Sequence, residues 1–329
     1  MTIRRCNRMC YQGGLTLIEL MISITLGLLV MLAATALLLS SKSAYTAQDD
    51  GTRLQDTGRY ASEVISRSVR QAAYENWDRQ DAPIVSAAGI SANIAGLDAR
   101  SLSATTNGIT SPVASSVNGS DVLAVRFFGS GAGEHGDGSM INCAGFGVAA
   151  ATSQDSADEE RGTSIFYVAR DAGGEPQLYC KFHGKKGWVA QALARGVESF
   201  QVLYGIDSDG DSLPNQYLNA ASLQALDAAL VLTGATAQEQ AVDRNRKTWW
   251  KKVVVIRTAL LLRGTEKSRT DALTSQYDLF GRDYSDLNAS ADVGTRILEA
   301  QLPESTRNRI RKISATTIQL RNQSPGSAI

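Results

Sequence analysis

Residues 15–39, LTLIELMISITLGLLVMLAATALLL, constrain this chain more than any other stretch: 19 of the 25 are hydrophobic and Glu19 is the one charge. From Leu20 to Ser41 there are 22 uncharged residues, enough for a helix rising ~1.5 Å per residue to cross ~30 Å of hydrocarbon. Ahead of them, residues 1–14 (MTIRRCNRMCYQGG) carry Arg4, Arg5 and Arg8 and no acid. A basic leader stays in the cytoplasm, so everything after Lys42 is expected outside. A secretory signal has an apolar core of ~7–15 residues, shorter than this one, so an anchor is expected. A lipoprotein signal needs its cysteine after the apolar core, whereas Cys6 and Cys10 precede it.

The rest of the composition excludes other classes. With 33 Lys+Arg against 33 Asp+Glu, the chain lacks the cationic excess of a dedicated nucleic-acid binder. At 43% hydrophobic residues it is neither wholly disordered nor polytopic. Removing residues 1–14 takes away three arginines and no acid, leaving 30 bases against 33 acids.

Glu19 needs a partner, because an ionisable group in a span costs on the order of 2.5–3.5 kcal/mol when central. A cut after Gly14 creates one: an ammonium on Leu15, one helical turn from Glu19 and able to meet the carboxylate of a neighbouring subunit. Gly13-Gly14-Leu15-Thr16-Leu17-Ile18-Glu19-Leu20 resembles the class III (prepilin) signal of type IV pilins and type II secretion pseudopilins. The resemblance implies that a prepilin peptidase cuts after Gly14 and methylates the amine of Leu15, and that Glu19 guides packing into a filament. Leu15 stands where phenylalanine is usual, and residues 15–82 contain no proline, so a straight helix is expected.

Beyond the membrane, Leu54, Gly58, Ala61, Ile65, Ser68 and Ala72 step by 4, 3, 4, 3 and 4, one helical face of small and apolar groups. A helix over residues 15–74 would reach ~90 Å, with a bend expected at Asp49-Asp50-Gly51. Residues 79–120, rich in Ser, Ala, Asn, Gly and Thr, read as a surface connection with little regular structure. Strands are expected at 121–128, 163–170, 176–183, 197–204, 249–263 and 313–321, with a turn at 171–176 joining two of them and helical or mixed structure at 219–246. The fold class is α+β, pilin-like: a long N-terminal helix, membrane-spanning in its first half, packed on a C-terminal antiparallel sheet. The expected division is a leader (1–14), a membrane and filament-core helix (15–41), its amphipathic continuation (42–78) and an α+β head (79–329).

The leader takes two of the four cysteines, leaving Cys143 and Cys180, which should pair in an oxidising periplasm. Cys143-Ala-Gly, then Leu178-Tyr179-Cys180, then Tyr204-Gly-Ile-Asp-Ser-Asp-Gly-Asp211 resemble, in that order, the PilW family of type IV minor pilins. A tryptophan-led strand ending Leu-Leu-Arg263 and the ending Thr316-Thr-Ile-Gln-Leu-Arg-Asn322 extend the likeness. It implies a low-abundance pilin of the inner membrane and then of the pilus. Such a pilin helps to prime assembly, sits with other minor pilins and the major pilin at the tip, and supports twitching motility and adhesion. The alternatives are a J-type minor pseudopilin of type II secretion and an anchored calcium-dependent adhesin.

Asp207, Asp209 and Asp211, with the Leu213 carbonyl and Asn215, form a candidate Ca²⁺ set, since alternate aspartates in a tight loop converge on a hard cation. It is not an EF-hand: Ser212 stands where glycine is required and Leu218 where the twelfth-position glutamate belongs. The plainer reading is a solvated Asp-Gly turn, with no cofactor required. Gly131-Ala-Gly133-Glu-His-Gly136 spells G-x-G-x-x-G, but Asp137-Gly138-Ser139 follows instead of a helix start, so a loop is expected. Arg246, Lys247, Lys251 and Lys252 flank Trp249 and Trp250, a pattern that suits single-stranded nucleic acid but more often marks a strand entry with Trp inward and cations solvated or contacting a neighbour. His135 and His183 have no recognisable nucleophile constellation, and no enzymatic activity is expected.

Overall fold

The computed structural model describes residues 14, 16–74, 89–153, 155–267, 269 and 274–322. The chain divides into two units, residues 1–49 and 50–329. Helix α1 (Leu17–Gln71) belongs to both. In the first unit residues 16–45 are exposed throughout, a helix long and apolar enough to cross a membrane. Leu15, the residue expected to become the new terminus, lies outside the described residues, as do residues 75–78 of the expected helical continuation.

In the second unit α1 presents its small-residue stripe to the head. Leu54, Gly58, Ala61, Ile65, Ser68 and Ala72 are all buried, as the 4-3-4-3-4 spacing predicts. Gly58 permits the closest approach: a Cβ there would lie 3.1 Å from Ser314 Cβ and 3.2 Å from Leu262 Cδ1. Asp49-Asp50-Gly51, the place of the expected bend, are helical. Asp50 is buried, its carboxylate accepting from Thr265 Oγ1 (3.2 Å) and the Glu266 N–H (3.3 Å), so a partner on the head holds the side chain that would otherwise favour a turn.

The head is built on two antiparallel sheets. Strands β1 (Ile94–Leu97), β4 (Val122–Phe127), β5 (Gly162–Arg170), β6 (Pro176–Gly184) and β7 (Gly187–Arg195) form one, in the order β1-β4-β5-β6-β7. A ribbon of β2 (Ser101–Leu102) and β3 (Pro112–Val113) lies between β1 and β4 in the chain, and the short α2 (Ala157–Glu160) precedes β5. The second sheet follows the order β13-β10-β8-β9, from β8 (Val197–Ile206), β9 (Gln216–Leu218), β10 (Val253–Arg263) and β13 (Arg311–Gln319). Helices α3 (Ala220–Ala228) and α4 (Ala237–Lys247) separate β9 from β10; β11 (Gln276–Asp278), α5 (Arg282–Asn288) and β12 (Arg296–Leu298) separate β10 from β13.

One core joins α1 to both sheets: Ile65 and Val69 from the helix, Phe166 and Leu178 from the first sheet, Phe200, Ile256 and Leu260 from the second. Phe200, Val202 and Tyr204 of β8 enter this core, as alternation along VESFQVLY predicts, yet the opposite face is buried too. The segment containing β11, α5 and β12 accounts for that, packing Leu279, Ile297 and Leu302 against Ala259 and Leu261 on the other side of the second sheet.

Two expectations fail in the head. Residues 79–120 hold more than a connection, because β1 pairs with β4 from Ile94↔Val125 to Leu97↔Val122. Four residues containing a glycine give little strand signal, but Gly96 is required there: a Cβ would lie 1.9 Å from the Tyr204 hydroxyl. The ribbon after β1 is held by Lys181, whose ammonium donates to the Ser103 and Gly108 carbonyls at 2.9 Å each. Strand β7, GWVAQALAR, was not expected, since alanine and glutamine carry no β preference; pairing with β6 makes it a strand.

Candidate functional site

The feature with the clearest chemistry is the start of α1. Thr16 Oγ1 accepts from the Glu19 N–H (3.3 Å), and Glu19 Oε2 accepts from the Thr16 N–H and hydroxyl, both at 2.9 Å. This is a capping box, Thr-x-x-Glu, readable from sequence but not anticipated above. Within one chain Glu19 thus serves its own helix terminus, where carboxylates are favoured by the helix dipole. Gly14, the expected cleavage residue, has nothing within 4 Å of its Cβ position. Gly14, Thr16 and Glu19 therefore sit at an exposed helix end beside exposed apolar residues.

On the head, Cys143 and Cys180 form the expected disulfide, with Cα atoms 5.9 Å apart. It ties the glycine-rich segment 129–150 to β6. That segment folds back on itself, with the Ser130 N–H donating to the Val148 carbonyl (3.0 Å) and the Asp137 N–H to the Ser130 carbonyl (2.9 Å). Gly131, Gly133 and Gly136 all have positive φ and no helix follows, so the G-x-G-x-x-G letters form a loop. The fold brings His135 and His183 to one cavity of about 740 Å³ with Phe146, Phe182 and an ion pair between Glu134 and Lys185 (2.5 Å).

The Asp-rich loop is ordered by its own carboxylates. Asp207 accepts from the N–H groups of Asp209 (3.2 Å), Gly210 (2.6 Å) and Ser212 (2.9 Å). Desolvation pushes this carboxyl up, but the hydrogen bonds from Gly210, Ser212 and Asp209 outweigh it and hold it below the usual carboxylate range. Ligand oxygens of Asp207, Asp209 and Asp211 lie within 4.8 Å of one another. Asn215 turns its Oδ1 to the Ser208 N–H (2.6 Å) and its amide nitrogen to Asp209 (3.1 Å), so in this arrangement it props the loop.

The tryptophan pair is built inward. Trp250 is buried edge-on against Tyr204, with ring centroids 4.9 Å apart, and Lys252 lies 4.7 Å over the ring of Trp249. Of the cations expected in solvent or on a neighbour, Lys252 contacts Trp249 and Lys251 is buried. Desolvation and the nearby Arg161 guanidinium push its ammonium down to about 8.

Sequence reasoning also missed a buried ion network. Arg311 donates to both carboxylate oxygens of Glu198 (2.6 and 3.3 Å) and to Glu299 (3.1 Å), while Arg269 reaches Glu299 at 3.0 Å. Arg263 pairs with Glu198 (3.3 Å) and with Glu175. Isolated charged residues scattered over 136 positions of sequence carry no signal of this closure.

Comparison with known proteins gives two family matches. Residues 165–322 match the model of Type IV Pilus-assembly protein W, and residues 9–35 match the prokaryotic N-terminal methylation motif. No curated protein matches the chain. Among solved structures, a type IV-like pilin from Thermus thermophilus is similar at 15% identity, covering 83% of this chain and 98% of its own, with a TM-score of 0.36.

Proposed function

From a head of the Type IV pilus-assembly protein W family carried on a prepilin-type methylation motif, we propose that the chain is a minor pilin that primes type IV pilus assembly within a tip complex. Before assembly α1 anchors it in the inner membrane with the head in the periplasm. Prepilin peptidase then cuts after Gly14 and methylates Leu15, and the exposed apolar face of α1 packs among the helices of other minor pilins and the major pilin. Motility and adhesion depend on it through the pilus. The reading assigns no enzymatic role, in keeping with the family matched.

The observation that carries the proposal is Glu19 at the head of a helix whose residues 16–45 are exposed throughout. Its carboxylate is held by Thr16 of the same chain until a neighbour's terminal ammonium competes for it. An ammonium–carboxylate pair in hydrocarbon is a stronger attraction than a hydroxyl contact. Glu19→Ala is therefore expected to be processed normally, with mature chains beginning at Leu15 by mass spectrometry, while surface piliation falls roughly tenfold, one charged contact being about 1.4 kcal/mol or more. Unchanged piliation would count against the assembly role. Co-purification of partners separates a pilus complex from a type II secretion pseudopilus.

A second reading concerns the Asp207 loop, and convergence of its three carboxylates favours it. Here Asp207, Asp209 and Asp211 take Ca²⁺ through carboxylate oxygens, with Asn215 turning its amide to join them. Full-length protein in detergent is expected to release or absorb heat on titration with millimolar Ca²⁺, about the range of extracellular sites, and to gain thermal stability. Neither heat nor a thermal shift would eliminate the site.

A further inference from the structure

The head contains a cluster of three carboxyl groups that the pilin reading does not use. Asp121, 2% exposed at the entry to β4, accepts from the Ala99 N–H through Oδ1 (3.0 Å) and from the Val202 N–H through Oδ2 (2.9 Å). Its donor Ala99 is the chain neighbour of Asp98, just after β1, so the two carboxyls lie at one seam. Asn219, at the start of α3, donates its one amide group to both Asp98 Oδ2 (2.9 Å) and Asp292 Oδ1 (3.2 Å). Asp292, after α5, also accepts from the Tyr284 hydroxyl at 2.7 Å. The Tyr204 hydroxyl from β8 is fully buried beside Gly96 and has no hydrogen-bond partner among the described residues, and neither does Asp98 Oδ1. Arg100, exposed, is the cation that acts on Asp98.

We propose that Asp98, Asp121 and Asp292 form, with Asn219 and Tyr204, a buried pH-responsive clamp where β1, β4, β8, α3 and the segment after α5 meet. Ionised carboxylates offer only acceptors, and Asp98 and Asp292 share the one amide group of Asn219, so repulsion within the cluster favours a proton on it. The unpaired Asp98 Oδ1 points the same way: charge on that oxygen meets no donor among the described residues. Desolvation, with the Asp292 charge added, pushes Asp98 up to about 6; desolvation and the Asp98 charge push Asp121 well above the carboxylate range. Tyr204 and Tyr284 are pushed up as well, first by desolvation, and so stay neutral.

A carboxyl whose folded value lies above its unfolded one holds its proton more tightly in the native state. Its contribution is complete below the unfolded value of 3.8 and is lost as pH rises through about 6. Carboxyls held low, such as Asp243 at about 2, act in the opposite direction and in a lower window. Between those windows the clamp sets the slope, and the head is tighter in acid than at neutral pH.

Urea unfolding of the full chain in nonionic detergent, followed by tryptophan fluorescence, tests this. The unfolding constant of the wild type is expected to rise roughly tenfold from pH ~5 to ~7.5, a figure already reduced for the partial exposure of Asp98. Asp98→Asn removes the titrating carboxyl and is expected to flatten that slope. A wild-type constant that is flat or falls with pH, or an Asp98→Asn variant that keeps the wild-type slope, overturns the proposal. Should Asp98→Asn not fold, Asp292→Asn removes a repelling charge and is expected to move the wild-type midpoint to lower pH; an unmoved midpoint overturns it equally.

Discussion

Glu299→Ala is expected to destabilise the head by about 3–5 kcal/mol, the usual cost of removing one partner from a buried ion network. Glu299 is fully buried, and its carboxylate accepts from Arg311 (3.1 Å), Arg269 (3.0 Å) and the Asn308 N–H (3.1 Å). Alanine leaves the Arg269 guanidinium without its charge partner here and strips Arg311 of one of its two carboxylates. Burial alone would push Arg311 down, but its bonds to Glu198 and its attraction to Glu198 and Glu299 hold it above the ordinary arginine value. Glu299→Gln, which keeps the shape and the acceptor oxygen but not the charge, should fall between wild type and alanine. Denaturant unfolding of the three proteins measures this, and a loss below about 1 kcal/mol for alanine would mean that the network contributes little. The network ties β8, β10 and β13 to the segment after β12, so its loss should loosen the outer cover of the second sheet before the α1 side.

Replacing both Cys143 and Cys180 by alanine should cost about 3–4 kcal/mol by the loop-closure argument. The bond closes a loop with a sequence separation of 37 and both residues are buried, so reduction frees a long stretch of the unfolded chain. Local effects should concentrate in segment 129–150. Its contacts with β6 include the Phe146–Phe182 pair (centroids 5.4 Å apart), whereas β8 and β10 hold each other without it. Hydrogen exchange is expected to speed up in that segment first. Equal stability of the reduced and oxidised proteins would show that packing of the loop on the sheet is sufficient.

The parts of this protein that could be read from sequence are those where a periodic pattern meets one large free-energy term. The apolar half of α1 is of this kind, because hydrophobic patterning acts on consecutive residues. So is the small-residue stripe of α1, all six of whose positions are buried. The strong strands lie within a few residues of their predicted places, for example Gly162–Arg170 for 163–170 and Val197–Ile206 for 197–204. The short β1 and the alanine-rich β7 were missed, since neighbouring strands made them strands. At the Asp-rich loop Asp207, Asp209 and Asp211 converge as their spacing suggests, while the direction of the Asn215 amide is set by local hydrogen bonds to Ser208 and Asp209 that spacing does not record.

Sequence by itself determined an apolar N-terminal helix long enough to cross a membrane, a match to the methylation motif over residues 9–35 and two head cysteines that pair. These follow from local composition and compartment, which need no knowledge of what lies across the fold. The tertiary structure decided where the charges go. Asp50, Lys181, Lys251, Arg263 and Glu299 would each be solvated on an extended chain, and all five are buried. Asp98, Asp121 and Asp292 span nearly 200 positions yet meet at one seam. Burial of a charge depends on partners brought from distant strands, and no local pattern records that cost or how it is met.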